Sequence, residues 1–228
     1  YVLEPAEPLP PMTQEDLEFE RFQIKAVSAI EEELDRILKT RKQSRIQTIA
    51  DMVIRNYGHL DEKINFYQNL RSLEDYVSRH SLNVAILCAM ITHVMNIRRE
   101  EQYHTVCAAL LHDMGKLKKH EDVYFGAPYS REDAIRNCET QEEAYSVIEE
   151  AFATEGPAIR RICQQAAGKQ LDLFPEEGKE SRYKMLEGSN VLLVANRYDE
   201  ITAMTLQGTA QSEVKAAQEL LEHPEVYD

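Results

Sequence analysis

Two adjacent side chains, His112 and Asp113, close a mostly apolar run, Ala108-Ala-Leu-Leu-His-Asp-Met-Gly115-Lys116-Leu, and both can hold a divalent cation. Imidazole nitrogen and carboxylate oxygen are the donors that borderline and hard metal ions prefer. One His-Asp pair cannot enclose a metal, so partners must come from elsewhere in the chain. His80 stands one helical element upstream, in Asp75-Tyr-Val-Ser-Arg-His-Ser-Leu-Asn-Val84. A third candidate segment is Val194-Ala-Asn196-Arg-Tyr-Asp199-Glu-Ile-Thr202.

Helices are the elements that must bring these groups together. From about residue 74, Val84, Leu87, Ile91 and Val94 continue the line of His80 in steps of three and four. That spacing predicts a helix with His80 on its buried face, near its start. A helix over roughly 100 to 114 stacks Tyr103, Cys107, Leu110 and Met114 and delivers His112 and Asp113 at its end. Gly115 is expected to leave it through the left-handed conformation, aiming Lys116 back across the mouth of the site. Leu192, Asn196, Asp199 and Ala203 share one face of a later helix.

The remaining pattern is also helical. Thr13 and Asp16 start a helix carrying Phe19, Phe22, Val27, Ile30, Leu34 and Ile37. A second one carries Ile46, Ile49 and Val53 and stops at Tyr57-Gly58, and Asp61 is placed to cap a third. Ser130 and Thr140 read as caps of two further helices, Gly156-Pro157 opens another, residues 168–183 read as a loop, and a last helix spans roughly 211 to 222. No segment alternates with period two, so the fold expected is all-α. The N-terminal helices contain no cluster of ligand-type residues, since His59 falls alone in a turn. They are expected to be a packed platform that can serve as a dimer or signal-input surface. His93 and His104 read as surface or packing residues.

The 228 residues suffice for one sizeable domain with an accessory element. A formal net charge of −14 argues against nonspecific nucleic-acid or anionic-membrane binding. No apolar run approaches the length of a membrane span. Cys88, Cys107, Cys138 and Cys163 sit in helical patterns without Cys-x-x-Cys spacing, as buried reduced thiols of a cytoplasmic protein would. The chain opens on Tyr1, and Pro5, Pro8, Pro10 and Pro11 make residues 1–12 read as a linker from an upstream domain. Residues 13–70 are then an N-terminal helical region and 71–228 the domain that carries the candidate site.

His80, the His112-Asp113 doublet and the late Val-Ala-Asn196-x-Tyr-Asp199-x-x-Thr segment resemble the HD superfamily of metal-dependent phosphohydrolases. The wording around His80 and His112 is most similar to its HD-GYP branch, the cyclic di-GMP phosphodiesterases. The resemblance implies an HD-domain helical bundle and a divalent metal such as Fe or Mn. It implies ligand roles for His80, His112 and Asp113, a catalytic part for Asp113 as a bridging carboxylate, and contact of Lys116 with a phosphate. The family's distal aspartate aligns with Asn196, a neutral amide, and Asp199 one turn further on is the candidate substitute. The later histidines and the Gly-Tyr-Pro signature are missing, with no histidine between His120 and His223. Gln164 and Gln165 occupy the aligned region. Tyr76 stands where trinuclear members carry a glutamate, and His120 where the family has proline.

Two readings follow from this resemblance. In the preferred one the chain is a degenerate HD-GYP-like signalling module with little or no cyclic di-GMP hydrolysis, acting through binding or dimer contacts. In the other it is an active HD-type phosphohydrolase that works on a nucleotide or phosphodiester with a reduced one- or two-metal site.

Overall fold

A computed structural model describes residues 13–42, 45–60, 70–71, 75–118, 130–174, 184–205 and 210–227. Helix α1 (Gln14–Thr40) and α2 (Ile46–Tyr57) precede α3 (Tyr76–Val94) and α4 (Arg99–Leu111), and α4 runs into a 3₁₀ turn, Met114–Lys118. Then come α5 (Arg131–Phe152), α6 (Gly156–Lys169), a short 3₁₀ turn Gln170–Leu173, α7 (Glu187–Thr202) and α8 (Glu213–Glu222). The architecture is all-α, as expected. Among the described residues, a two-residue parallel bridge joins β1 (Leu70–Arg71) and β2 (Met204–Thr205).

Helix α3 is the axis of the bundle, packed against α4, α7, α1 and α2. That central place explains why its N-terminal half is buried on nearly every side, from Tyr76 to Ala89, rather than along one stripe. It also corrects the expected stripe, because Val94 lies 67% exposed where α3 runs out past its neighbours. Ile30, Leu34 and Ile37 of α1 and Ile46 and Val53 of α2 join Leu82, Ile86, Leu110 and Leu111 in one continuous apolar cluster. Each such side chain, fully withdrawn from water, contributes about 1.5–3 kcal/mol. Among the described residues, no helix is long and apolar enough to cross a membrane.

Several expectations about element ends need correction. Ser130 does cap α5, its hydroxyl accepting from the Asp133 N–H, but Thr140 starts no helix. It lies buried in the middle of the same long helix, where uninterrupted backbone bonding overrides a local capping pattern. Where a loop was expected from Gly168, α6 and its 3₁₀ extension continue to Leu173, and residues 175–183 fall outside the described residues. The third helix expected at Asp61 falls outside the described residues, as do His120 and residues 1–12. All four cysteines are free, and burial raises the pKa of the Cys88, Cys107 and Cys163 thiols.

Candidate metal centre

Three helices meet at a buried knot of polar side chains. α3 brings His80, the end of α4 brings His112 and Asp113, and α7 brings Asn196 and Asp199. His80 Nε2 lies 3.2 Å from His112 Nε2 and 2.8 Å from Asn196 Oδ1, and His112 Nε2 lies 2.9 Å from the same oxygen. Asp113 Oδ2 is 3.6 Å from His80 Nε2, and Asp113 Oδ1 is 3.8 Å from His112 Nε2. Ligand-type atoms of His80, His112 and Asp113 converge within the span a single ion needs.

Proton positions follow from what stands behind each group. His80 Nδ1 is 2.6 Å from Asp199 Oδ2, an acceptor, so the ring carries its proton there and turns a bare Nε2 inward. His112 Nδ1 donates to the Ala109 carbonyl at 2.7 Å, with the same consequence. Asn196 Nδ2 donates to Glu200 Oε1 at 3.0 Å, which fixes the amide with its oxygen inward. Lone pairs of two imidazoles and an amide oxygen, with the Asp113 carboxylate beside them, therefore face one another. Only a cation, whether a metal ion or a shared proton, relieves that repulsion. Burial lowers the His112 pKa against the pull of Asp113, which disfavours a proton on that ring.

The donor set fits a divalent metal. Tetrahedral coordination with bonds of about 2.1 Å places ligand atoms about 3.4 Å apart. The inward atoms of His80, His112 and Asn196 lie 2.8 to 3.2 Å apart, and the two Asp113 oxygens lie 3.6 and 3.8 Å from the imidazoles. Two imidazoles, one carboxylate and one amide oxygen suit a borderline ion better than a soft one.

Two candidate residues stand in places other than those expected. Asp199 does not substitute for Asn196 as an inward-facing group, because its carboxylate lies on the far side of His80. Accepting from His80 Nδ1 and from Asn83 Nδ2 at 3.2 Å, it orients the imidazole. Lys116, expected at the mouth of the site, is only 3% exposed. Its Nζ is turned inward onto Asp113 Oδ2 at 2.6 Å. Burial alone would raise the Asp113 pKa, but the Lys116 ammonium holds it well below the usual carboxylate range.

Gly115 is required for a reason other than the one expected. It sits within the 3₁₀ turn, where a Cβ would meet Gln141 Oε1 at 2.6 Å and the Thr140 carbonyl at 2.7 Å. That close approach lets Gln141 accept from the Gly115 N–H at 3.0 Å while donating to Asp113 Oδ1 at 3.2 Å. Tyr145, one turn along α5, donates to the His112 carbonyl at 2.6 Å. Tyr76 stacks on the His80 ring with centroids 5.5 Å apart. On the other flank, Arg197 bridges Glu200 at 3.3 Å and Glu219 of α8. Gln141 and Tyr145 carry no sequence signal of a role here, whereas Asn83, one turn beyond His80, and Glu200, one turn beyond Asn196, share a helical face with a candidate residue.

Among the described residues, one small cavity borders the knot. The cavity bounded by His112, Asp113, Gln141, Tyr145 and Asn196 measures ≈ 20 Å³. One water needs about 10–15 Å³ on this measure, and a small-molecule site about 300 Å³ or more.

A model of one protein family, the HD domain, matches residues 77–204. The chain belongs to the HD domain family. Searches of curated proteins and of solved structures found no match. HD domains are metal-dependent phosphohydrolase-type modules, and the matched segment contains His80, His112, Asp113, Lys116, Asn196 and Asp199. Helices α1, α2 and α8 lie outside it.

Proposed function

We propose that this HD domain is a degenerate, HD-GYP-like regulatory module that keeps a single divalent cation, Fe or Mn being the candidates, without efficient phosphodiester hydrolysis. The observation that carries this reading is the inward turn of buried Lys116, whose Nζ lies 2.6 Å from Asp113 Oδ2 and so faces that carboxylate rather than an opening. A bound divalent ion would supply an acidic water and charge neutralisation for a phosphate. This chain's own residues are poorly arranged to use either. Lys116 is engaged by Asp113, and Asn196 brings no charge to balance the ion. Leu17 and Ile24 of α1, 36% and 58% exposed, support its use as an input or dimer surface.

The second reading is a working phosphohydrolase on a nucleotide or phosphodiester, with Asp113 and Lys116 in catalytic roles. The inward convergence of four acceptor groups favours it. Assays of purified protein on bis-p-nitrophenyl phosphate and cyclic di-GMP, with added Mn²⁺ or Fe²⁺, decide between them. The regulatory reading expects no turnover above the metal-only control. Turnover that disappears in both His112→Ala and Asp113→Ala would overturn it.

A further inference from the structure

The support behind His80 extends beyond the segment that matches the family. Asp199 accepts from His80 Nδ1 on one side and from Asn83 Nδ2, at 3.2 Å, on the other. A carboxylate can only accept, so Asn83 must present its amide nitrogen to Asp199 and its carbonyl oxygen elsewhere. That oxygen accepts from Gln23 Nε2 of α1 at 3.2 Å. The order of donors is thereby fixed: Gln23 to Asn83, Asn83 to Asp199, with His80 donating into the same carboxylate. Asn83, Asp199 and His80 are 3%, 1% and 0% exposed, so water competes little for these bonds.

We propose that Gln23, outside the family segment, is a positioning residue for the cation cluster. Through Asn83 and Asp199 it keeps His80 Nε2 turned toward His112, Asp113 and Asn196. The inference rests on the cation-binding reading above. α1 is then part of the site's support as well as a packed platform, and a displacement of α1 is felt at the imidazole.

Gln23→Glu tests this by sign. The change is nearly isosteric but sets an acceptor against the Asn83 carbonyl oxygen. Its added negative charge, acting through space alone, would tighten a divalent cation. A relay broken at its first bond loosens it. In the full chain, stripped of metal and titrated with Mn²⁺, Gln23→Glu should bind about 10-fold more weakly than wild type. Asn83→Ala should weaken binding similarly, and adding Gln23→Glu to Asn83→Ala should cause no further loss. Equal or tighter binding by Gln23→Glu overturns the proposal.

Gln23→Ala removes the donor without adding charge and serves if the glutamate variant does not fold. It should weaken Mn²⁺ binding by roughly 2- to 10-fold, one ordinary hydrogen bond, and unchanged affinity counts against the relay. If the wild type binds no Mn²⁺, the cation-binding reading fails, and the relay is judged on the imidazole ¹⁵N spectrum of the metal-free chain. His80 should show one Nδ1-protonated tautomer in wild type and a mixture in Gln23→Glu. An unaltered His80 signal in the variant overturns the relay independently of metal.

Discussion

Lys116→Met should destabilise the metal-free protein by about 3–5 kcal/mol, the loss expected when a buried ion pair is broken from one side. Lys116 and Asp113 side chains are 2% and 5% exposed, and the ammonium sits 2.6 Å from the carboxylate. Methionine preserves most of the aliphatic volume, so the effect isolates the missing charge. Asp113 would be left with Gln141 and two imidazoles that already face one another, and no fixed cation. Urea denaturation of chelator-treated protein measures the loss. The same experiment with saturating Mn²⁺ should restore much of it, because lysine and metal ion neutralise the same carboxylate. A loss below about 1 kcal/mol, typical of exposed pairs, would mean that Lys116 is not the counter-ion of Asp113.

The second large effect concerns Asn196, where a carboxylate would complete an ordinary HD ligand set. Asn196→Asp is not a simple repair, because Asn196 Nδ2 donates to Glu200 Oε1 at 3.0 Å, and the Glu200 side chain is only 4% exposed. An aspartate there would set two acceptors against each other in a buried place. The single variant should therefore lose about 1–3 kcal/mol of metal-free stability, the penalty for a buried polar group stripped of its partner. Asn196→Asp combined with Glu200→Gln restores a donor and leaves an added negative charge facing the cluster. That double variant should bind Mn²⁺ at least about 10-fold more tightly than wild type. Calorimetric titration reads the affinity, and urea unfolding reads the stability. Equal Mn²⁺ affinity in wild type and double variant would show that Asn196 does not face the ion.

How legible each residue is in the sequence depends on the kind of signal it leaves. His112-Asp113 is a doublet at the end of an apolar run, and His80 falls on the buried stripe of its own helix, so both could be found from type and spacing. The shared face of Asn196 and Asp199 was legible for the same reason, since helical period sets it. Period does not tell which way an oxygen points, so it leaves Asp199 a candidate ligand although its carboxylate stands behind His80. Lys116 was expected at the opening because charged side chains are rarely buried, yet an adjacent carboxylate one turn away draws it inside. Gln23, Gln141 and Tyr145 act through one or two hydrogen bonds each across large sequence separations, and a lone polar residue in a helix leaves no periodic trace. Thr140 shows the opposite error, a local capping pattern overruled by the surrounding helix.

The test closest to the proposed cation site is the stoichiometry of metal binding. Chelator-stripped wild-type chain should take up one equivalent of Mn²⁺, and His80→Ala and His112→Ala, confirmed as folded, should take up none at the same concentration. Saturable binding that survives both substitutions, or a folded wild-type chain that binds no divalent ion, would contradict the proposal that inward-facing lone pairs of His80, His112 and Asn196 gather around a metal ion beside Asp113.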